Sequence, residues 1–285
     1  MRLANYKGRA TIVTDEGLVD VATASNGAFS ASVDKCVVQI EKLQQWFNSF
    51  TPQPTEKMKP EELMFSGDLG PVVTAPQQIF AIGANYRHHA EEMGLALPET
   101  PMVFTKFVSS IAGPNCELPI PAPTTDFEAE LVVVFGATAR DVSVENALSL
   151  VAGYCVGEDY SERTVQMRGK NAQFAIGKSF KNFTPFGPWL TTSDEVGDPN
   201  ALAIGTVVNG EVMQDSNTSD MIFTVAELIS YLSSVCEIRA GDIMFTGSPH
   251  GVGQGRTPAV FLKPGDEVVT SIEKLGSMRN HCVAK

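Results

Sequence analysis

Three acidic residues alternate with other residues in the stretch TTDFEAELVVVFG, residues 124–136, which then continues as an apolar run. Successive side chains of a β-strand point to opposite faces, so one face of this strand carries Asp126, Glu128, Glu130, Val132 and Val134. The opposite face carries apolar side chains from Phe127 to Phe135. Because desolvating an unpaired carboxylate is costly, acids that continue directly into buried positions need compensation. The stretch therefore predicts a buried strand whose acids face a cation.

Length and charge restrict the class of protein. With 285 residues, 43% of them hydrophobic, the chain suits one large domain or a large domain with a small one. Its 33 acidic and 21 basic residues give a net charge of −12, which would repel nucleic-acid phosphates and anionic lipid heads. No apolar run approaches the roughly 18 residues of a membrane span, and the N-terminal segment does not resemble an export signal. We expect a cytoplasmic protein that binds neither nucleic acid nor membranes, with five reduced cysteines.

The first 72 residues predict a small α+β domain and a linker. Short strands are expected around Leu3–Tyr6, Ala10–Thr14 and Gly17–Val21. A helix is expected next, with apolar side chains at helical spacing: Cys36, Val37, Ile40, Leu43, Phe47 and Phe50. Three prolines in Thr51–Glu62 interrupt regular structure and mark the linker. The main domain is expected over residues 73–285.

The main domain is predicted to be mainly β, an α+β fold with mostly antiparallel strands. Asn209-Gly210 lies between alternating residues, which is typical of a tight hairpin turn. Helices are expected at Ser143–Val151 and Thr224–Cys236, the latter opened by a capping box of Thr224 and Glu227. The regular strand–helix alternation of a doubly wound sheet is absent from the pattern.

A second acidic cluster lies in GYCVGEDYSERTVQ, residues 153–166, where Glu158 and Asp159 follow an apolar strand. One carboxylate from this strand, together with Glu128 and Glu130, would form an oxygen site of the kind that Mg²⁺ and Mn²⁺ prefer. The alternative is that these acids are solvated or paired with arginines. Spacing alone does not choose between the two.

One of the four histidines stands at helical spacing from an acid. In GANYRHHAEEMG, His89 precedes Glu92 by three residues, so a helical turn would let the carboxylate orient the imidazole as a general base. Gly83 and Gly94 flank this segment, which predicts a mobile lid. For an isolated HxxE pattern, an exposed polar helix start is the more ordinary interpretation.

Two other polar residues lie in apolar sequence. Lys178 in AIGKSFKNF and Thr246 in IMFTGSPHGVG could donate hydrogen bonds to an oxyanion, and the Gly247–Gly253 loop could present backbone N–H groups. A glycine-rich turn is more often only a turn. The sequence has neither a phosphate-binding loop nor a dinucleotide-binding pattern, so nucleotide binding is not expected.

Taken in order, six segments resemble the motif series of the fumarylacetoacetate hydrolase family: NYRHHAEE, DFEAELVVVFG, GYCVGEDYSERTVQ, GKSFKNFTPFGPWL, VVNGEVMQDSNTSDMIF and GDIMFTGSPHGVG. The match runs from Ile79 to Gly253, and the combination is highly specific. The resemblance implies a catalytic domain of rolled, barrel-like β-sheets over residues 73–285 and a homodimer. It also implies a divalent metal, usually Mg²⁺, with Mn²⁺ or Ca²⁺ as substitutes.

The resemblance also assigns roles to individual positions. It makes Glu128, Glu130 and Asp159 the metal ligands, and it leaves Asp126 as a residue that contacts those ligands. It makes His89 and Glu92 a pair that activates water. The positions that match substrate-holding residues are Arg163, Gln166, Lys178, Thr246 and Gly247, with Lys178 also catalytic. Two departures point to an unusual substrate: Glu158 replaces a common asparagine, and Phe107 replaces a common proline after Lys106.

The implied reaction is hydrolysis of a C–C bond in a 2,4-dioxo acid, either an acylpyruvate or a diketo sugar acid, with release of pyruvate. The same kind of site also supports oxaloacetate decarboxylation or isomerisation of a hydroxydienedioate, and fold alone cannot choose among them. Hydrolysis is favoured because a histidine–glutamate pair is present to generate the nucleophile. A catalytically silent, metal-stabilised binding module is the alternative from another class, and it would need neither that pair nor an oxyanion loop.

Overall fold

The computed structural model describes residues 1–49 and 52–285. Phe50 and Thr51, predicted to belong to the first helix and to the linker, lie outside the described residues. The N-terminal strands are β1 (Arg2–Tyr6), β2 (Arg9–Thr14), β3 (Gly17–Asp20) and β4 (Leu69–Gly70). The N-terminal helices are α1 (Val21–Ala24), α2 (Val33–Val37), α3 (Ile40–Ser49) and α4 (Pro60–Met64). The three predicted strands are confirmed, whereas the predicted single helix is two helices, interrupted at Val38 and Gln39.

The rest of the chain is rich in strands. These are β5 (Ile79–Gly83), β6 (Met102–Thr105), β7 (Ile111–Ala112), β8 (Glu117–Ile120), β9 (Thr125–Asp126), β10 (Ala129–Phe135), β11 (Val151–Glu158), β12 (Ser161–Glu162), β13 (Thr184–Thr192), β14 (Ala203–Val208), β15 (Glu211–Asn217), β16 (Ile243–Phe245), β17 (Glu267–Ile272) and β18 (Gly276–Ala284).

The helices of this part are short. They are α5 (Arg87–Glu92), α6 (Val144–Ala147), α7 (Arg163–Gln166), α8 (Phe174–Gly177), α9 (Ser193–Val196) and α10 (Val225–Val235), with 3-10 turns at Val108–Ser110, Leu148–Leu150, Thr218–Asp220 and Gly253–Gly255. The capping box that begins α10 is confirmed, since Thr224 accepts from the Glu227 N–H and Glu227 accepts from the Thr224 N–H. The helix expected over Ser143–Val151 is shorter than predicted, because Val151 already pairs with Phe135 as a strand residue.

Two large sheets form the fold. An 11-stranded sheet follows the order β3-β2-β1-β13-β11-β10-β16-β5-β6, with β4 on β1 and β7 on β13. A five-stranded sheet follows β15-β14-β17-β18-β8 and packs against β10 and β11. Most pairings are antiparallel, as predicted. Because β1 pairs with β13, the larger sheet runs across the domain boundary predicted at residue 72, and that boundary stays a prediction.

The hairpin of β14 and β15 turns at Asn209 and Gly210, whose φ angles are +51° and +84°. Both angles lie in the left-handed region, which asparagine and glycine adopt at the least cost. The hairpin prediction is therefore confirmed. It supplies one edge of the five-stranded sheet that covers β10 and β11.

Strand β10 lies between two apolar clusters. Leu131 and Val133 belong to the cluster that includes Leu228 and Ile229 of α10. Val132 and Val134 belong to the opposite cluster, which includes Val37 and Leu43 of the N-terminal helices. Every residue of β10 is buried, and burying each of its Leu, Val and Phe side chains contributes roughly 1.5–3 kcal/mol. Alternate side chains of β10 therefore pack into two different apolar cores, one on each face of the sheet.

The predicted acidic strand is interrupted. Thr125–Asp126 pairs with β12 in a separate two-stranded sheet, and the larger sheet begins again at Ala129. The break at Phe127 and Glu128 corrects the expectation of one continuous strand. On the two sides of this break, Asp126 pairs with Arg163 and Glu130 accepts a hydrogen bond from the Gly247 N–H.

Candidate active site

Three carboxylates converge at the start of β10. Oxygen atoms of Glu128, Glu130 and Asp159 all lie within 4.8 Å of one another, and all three residues are buried. Antiparallel pairing of β10 with β11 brings them together, since Glu130 lies opposite Gly157 and the Asp159 N–H donates to the Glu128 carbonyl at 2.9 Å. The structure thus brings the three predicted metal ligands together where β10 begins and β11 ends.

Two lysines neutralise part of this charge. Lys178 Nζ lies 2.8 Å from Glu128 Oε2 and 2.7 Å from Asp159 Oδ2, and it also donates to the Ser161 hydroxyl at 2.7 Å. Lys106 donates to the other Asp159 oxygen and, at 2.8 Å, to the Phe183 carbonyl. Sequence reasoning placed Lys178 in the site but assigned no role to Lys106. The sequence feature that could have indicated Lys106 is its position as a single charged residue directly after the apolar strand β6.

Glu130 has a different environment from its neighbours. Its carboxylate accepts one hydrogen bond, from the Gly247 N–H at 2.7 Å, and within residues 1–49 and 52–285 no cationic side chain pairs with it. Burial, and then the charges of Asp159 and Glu128, raise the pKa of Glu130 well above its ordinary value. Burial would also raise the pKa of Glu128, but Lys178 and Arg163 outweigh it and lower that pKa to about 2.

These residues fit a divalent metal ion. Hard oxygen donors on one side of a buried pocket match the preferences of Mg²⁺ and Mn²⁺. Glu130 has no ion-pair partner among the described residues, and a bound divalent ion would offset the repulsion among the three carboxylates that raises its pKa. The donor set alone does not distinguish the two metals.

Arg163 links the carboxylates to a glycine-rich loop. Its guanidinium Nη2 lies 2.7 Å from Asp126 Oδ2 and 2.7 Å from Glu128 Oε1, and Nη1 donates to Gln166 Oε1 at 2.9 Å. Asp126 also accepts from the Gly253 N–H at 2.7 Å and the Gln254 N–H at 3.0 Å. Asp126 therefore contacts Arg163 and this loop. Arg163 lies between Asp126 and Glu128 and pairs with both carboxylates.

Glu158, which stands where the family commonly has asparagine, contacts the backbone of Glu128 on the side of the second sheet. Its carboxyl accepts from the Glu128 N–H at 2.8 Å and from the hydroxyls of Thr206 and Thr270 at 3.1 and 2.5 Å. Burial raises the pKa of Glu158 to about 7, although these hydrogen bonds oppose the shift. The residue thereby connects the carboxylate cluster to strands β14 and β17 of the second sheet.

The predicted histidine–glutamate pair is present on α5. His89 Nδ1 lies 3.2 Å from Glu92 Oε2, and the Glu92 carboxylate also accepts from the Gly251 N–H at 3.0 and 3.2 Å. Burial raises the pKa of Glu92, but the hydrogen bonds from His89 and Gly251 together lower it by more. The pKa of Glu92 therefore lies below its ordinary value. Arg256 holds this loop in place by donating to the Gly251 carbonyl at 3.1 Å.

One cavity is lined both by His89 of this pair and by Glu128 of the carboxylate cluster. Its polar lining residues are His89, Glu128, Arg163, Gln166, Lys178, Ser248 and Gln254. Its apolar lining residues are Ile82, Gly83, Ala84, Met93, Leu95, Met102, Phe104, Met167, Phe174 and Val252. Five of the ten predicted site residues thus line this pocket, whereas Glu92, Glu130 and Asp159, like Thr246 and Gly247, are not among its lining residues.

Thr246 and Gly247 are placed differently from the expectation. The Thr246 hydroxyl donates to the Leu131 carbonyl at 2.9 Å, and the Gly247 N–H donates to Glu130. Neither is among the described residues that line the cavity. Since both donors bind β10, the structure does not bring them to a substrate in the cavity.

The chain matches the family described as Fumarylacetoacetate (FAA) hydrolase C-terminal over residues 78–283, and it belongs to this family. It is 50% identical over 205 residues to the 2,4-didehydro-3-deoxy-L-rhamnonate hydrolase of Sphingomonas sp. (strain SKA58), covering 71% of this chain and 72% of the relative. It is 44% identical over 213 residues to a mitochondrial oxaloacetate tautomerase of Bos taurus, covering 74% of this chain and 68% of the relative.

Solved structures agree with this assignment. A fumarylacetoacetate hydrolase from psychrophilic Exiguobacterium antarcticum superposes with a TM-score of 0.83 at 30% identity, covering 100% of both chains. A fumarylpyruvate hydrolase from Pseudomonas aeruginosa, in complex with Mn²⁺ and pyruvate, gives a TM-score of 0.68 at 34% identity, covering 77% of this chain and 93% of that chain. The predicted family and the mainly β, α+β fold class are therefore confirmed. Within the described residues, no helix is long and apolar enough to cross a membrane.

Proposed function

We propose that this protein is a divalent-metal-dependent hydrolase that cleaves a C–C bond of a 2,4-dioxo acid and releases pyruvate. The observation that carries the proposal is the single cavity lined both by Glu128 and Lys178 and by His89, which is paired with Glu92. The named activity of the Sphingomonas relative and the Mn²⁺ and pyruvate of the Pseudomonas aeruginosa structure support it. Acylpyruvates and diketo sugar acids are the two proposed substrate types.

Glu128, Glu130 and Asp159 would hold the metal, with Mg²⁺ as the proposed ion and Mn²⁺ or Ca²⁺ as substitutes. When bound there, a divalent ion supplies Lewis-acid chemistry to the oxo acid. Arg163 and Gln166 orient the substrate carboxylate. The side-chain oxygen of Gln166 accepts a hydrogen bond from Arg163, so its amide NH₂ group is the part that can donate to the substrate. We propose that Thr246 and Gly247 act indirectly, by fixing Leu131 and Glu130.

The environment of Glu92 defines the role of His89. The pKa of Glu92 lies below its ordinary value, so the carboxylate is ionised near neutral pH and can only accept hydrogen bonds. His89 Nδ1 must therefore donate to Glu92, so that in the neutral imidazole Nε2 is the ring nitrogen with the lone pair. Nε2 can take a proton from a water molecule in the cavity.

The proposed reaction balances with water as the second reactant. Water gives one proton to His89 Nε2 while its oxygen bonds to the distal carbonyl carbon of the substrate. The positive charge of Lys178 stabilises the resulting alkoxide through space, since its three N–H groups donate to Glu128, Asp159 and Ser161. The C–C bond then breaks with its electron pair on the pyruvyl carbon, which takes the proton back from His89. The products are one carboxylic acid and pyruvate.

A second candidate is proton transfer without water, as in a tautomerase or isomerase, or decarboxylation of an oxaloacetate-type acid. The similarity to the Bos taurus tautomerase favours including it, and the His89–Glu92 pair is sufficient to move a proton. The two candidates differ in their products, because pyruvate and a second carboxylic acid appear together only in hydrolysis.

The test compares His89→Ala with His88→Ala on acetylpyruvate and on oxaloacetate in the presence of Mn²⁺. His88 is the matched control, since its side chain is 63% exposed and pairs with Asp220. We expect His89→Ala to lower pyruvate release from acetylpyruvate by roughly 10²–10⁴-fold, the usual contribution of a general base, and His88→Ala to leave it nearly unchanged. Unchanged turnover in His89→Ala would overturn the hydrolytic role, and activity on oxaloacetate alone would select the second candidate.

We also propose a homodimer. Several apolar side chains near β6 and α8 are exposed, among them Phe107, Val108 and Ile176. Exposed apolar surface of this kind is a candidate for subunit contact. Sedimentation of the purified protein at several concentrations measures the mass directly, and a monomer at all of them contradicts the proposal.

A further inference from the structure

The cavity has two chemically different ends. We propose that its substrate carries an apolar, uncharged distal group, so that alkyl- or aryl-substituted acylpyruvates are favoured over acids that end in a carboxylate or a polyhydroxyl chain. This inference rests on the proposed hydrolase function. It distinguishes the chain from its Sphingomonas relative, whose named substrate is a sugar acid derivative.

The apolar end begins directly beside the charged end. Lys178 Nζ lies 5.5 Å from the centroid of the Phe104 ring, and Phe104 packs against Phe174 with ring centroids 5.4 Å apart. Phe104 and Met102 come from β6, while Phe174 comes from α8. A group attached to the distal carbonyl would therefore meet aromatic and thioether surface as soon as it leaves the polar end.

The predicted lid segment, residues 83–94, and the residues next to it add further apolar side chains to the cavity wall. Met93 lies at the C-terminal end of α5 and lines the cavity, as do Leu95, which follows the segment, and Met167, which follows α7. Met102 Cε fills the space over Gly83, where an added Cβ would lie 2.0 Å from it. Methionine side chains adapt to irregular apolar groups, so this wall suits alkyl chains of varied shape.

The cationic side chains that line the cavity already have acidic partners. Arg163 pairs with Asp126 and Glu128, and Lys178 pairs with Glu128 and Asp159. A second substrate carboxylate beside Met93 and Phe104, which are half-buried, would lose part of its water without gaining a cation, which is unfavourable.

Uncharged polar side chains are few in the lining of the whole cavity. The Ser248 hydroxyl accepts from Gln214 Nε2 at 2.9 Å, so part of its hydrogen-bonding capacity is used within the protein. Gln254 is the other uncharged polar residue of the lining besides Gln166. One amide cannot satisfy several hydroxyl groups of a sugar-derived chain, whereas an apolar chain needs no such partner.

The first experiment separates this inference from the proposed function. Acylpyruvates with acetyl, butanoyl and hexanoyl groups, and the carboxylate-ended analogue of the hexanoyl compound, are compared with Mn²⁺-loaded enzyme. We expect kcat/KM to rise roughly fourfold per methylene and the carboxylate-ended compound to be at least about tenfold poorer than its alkyl match. Cleavage that is equal across the series, or that favours the carboxylate, overturns the inference and leaves the hydrolase intact.

A binding measurement covers the case in which no compound is cleaved and the proposed function itself fails. The six-carbon acids 2-oxohexanoate and 2-oxoadipate share a 2-oxo acid head and differ in a terminal methyl or carboxylate. Titration calorimetry of the Mn²⁺-loaded protein is expected to show 2-oxohexanoate binding at least about tenfold more tightly. Tighter binding of 2-oxoadipate overturns the apolar assignment whatever the reaction is.

A matched pair of variants locates the effect. Leu95 and Leu97 are both 53% exposed, and of the two only Leu95 is among the residues that line the cavity. Leu95→Lys places a cation at the apolar end and is expected to shift the ratio of alkyl to carboxylate-ended kcat/KM by about tenfold toward the carboxylate. Leu97→Lys is expected to leave the ratio within about twofold. If the two variants shift it equally, the apolar end is not where the distal group lies.

Discussion

Ion pairs of similar length have very different surroundings in two regions of the molecule. In the N-terminal strands, Arg9 and Asp20 are 2.5 Å apart with side chains 47% and 17% exposed. At the cavity, Arg163 and Asp126 are 2.7 Å apart with side chains 9% and 0% exposed. The first pair remains partly in water, whereas the second has lost almost all of its hydration. Distance alone therefore says little about what a pair contributes.

The difference lies in what happens when one partner is removed. A charge left alone near the surface is rehydrated, so exposed pairs contribute about 0–1 kcal/mol. A charge left alone in the interior stays desolvated, which costs several kcal/mol. The cavity cluster thus forms a set of mutually dependent charges, while the N-terminal pair is nearly independent of its neighbours.

The sharpest test of this comparison replaces each arginine by leucine. Arg163→Leu leaves Asp126 buried without its cation, and we expect the free energy of unfolding to fall by about 3–5 kcal/mol. Urea denaturation of the metal-free protein measures the change. Arg9→Leu is the control and should cost less than about 1 kcal/mol. If Arg163→Leu prevents folding, Arg163→Lys keeps the charge and should be less destabilised than Arg163→Leu but more than Arg9→Lys, because lysine cannot reproduce the buried contacts of the guanidinium. Equal losses in the two lysine variants would contradict the comparison.

A smaller effect is expected from metal binding. Mn²⁺ at about 100 times its dissociation constant should stabilise the native protein by roughly 2.7 kcal/mol, as any ligand does that binds only the folded state. Glu130 has no ion-pair partner among the described residues, so it is the proposed ligand whose charge the metal would neutralise most directly. Glu130→Gln should lose most of this gain while keeping the shape of the side chain. Thermal or urea unfolding with and without Mn²⁺ provides the measurement. A gain of the same size in Glu130→Gln would rule out Glu130 as a ligand.

The smallest effect concerns Asp20. Its hydrogen bonds from Arg9 and the Thr23 N–H lower its pKa from 3.8 to about 2. Such a depressed pKa stabilises the fold above about pH 4 and ceases to do so as the pH falls through about 2. Asp20→Asn keeps the helix cap, so we expect a loss of only about 0.5–1 kcal/mol at neutral pH. The gap between the two proteins should close by about pH 2, and a gap that persists there would contradict the ion-pair explanation.

Local features of the fold were predictable from the sequence. The Asn209-Gly210 turn and the Thr224–Glu227 capping box each depend on residues a few positions apart, and both are present. The alternation in β10 was also predictable, because the side-chain direction of a strand follows from its geometry. The family motifs added Asp159, which spacing alone had not separated from Glu158.

The remaining features depend on contacts between distant segments. Lys106 reaches Asp159 across 53 positions, and Arg163 reaches Asp126 across 37. The break after Asp126 arises because β9 pairs with β12, which no local pattern in the acidic stretch indicates. The donors of Thr246 and Gly247 bind Leu131 and Glu130 for the same kind of reason, since β16 pairs with β10.

The pairing of β1 with β13 has a consequence for any shortened form of the chain. Strand β13 runs for nine residues, all of them buried, and Leu3 lies opposite its Leu190. A protein beginning at Val73 would expose the open edge of this strand, whose free backbone groups are a template for pairing with another chain. Removing the N-terminal strands would therefore promote intermolecular sheet formation and aggregation, beginning at a strand that adjoins the one leading to Asp159.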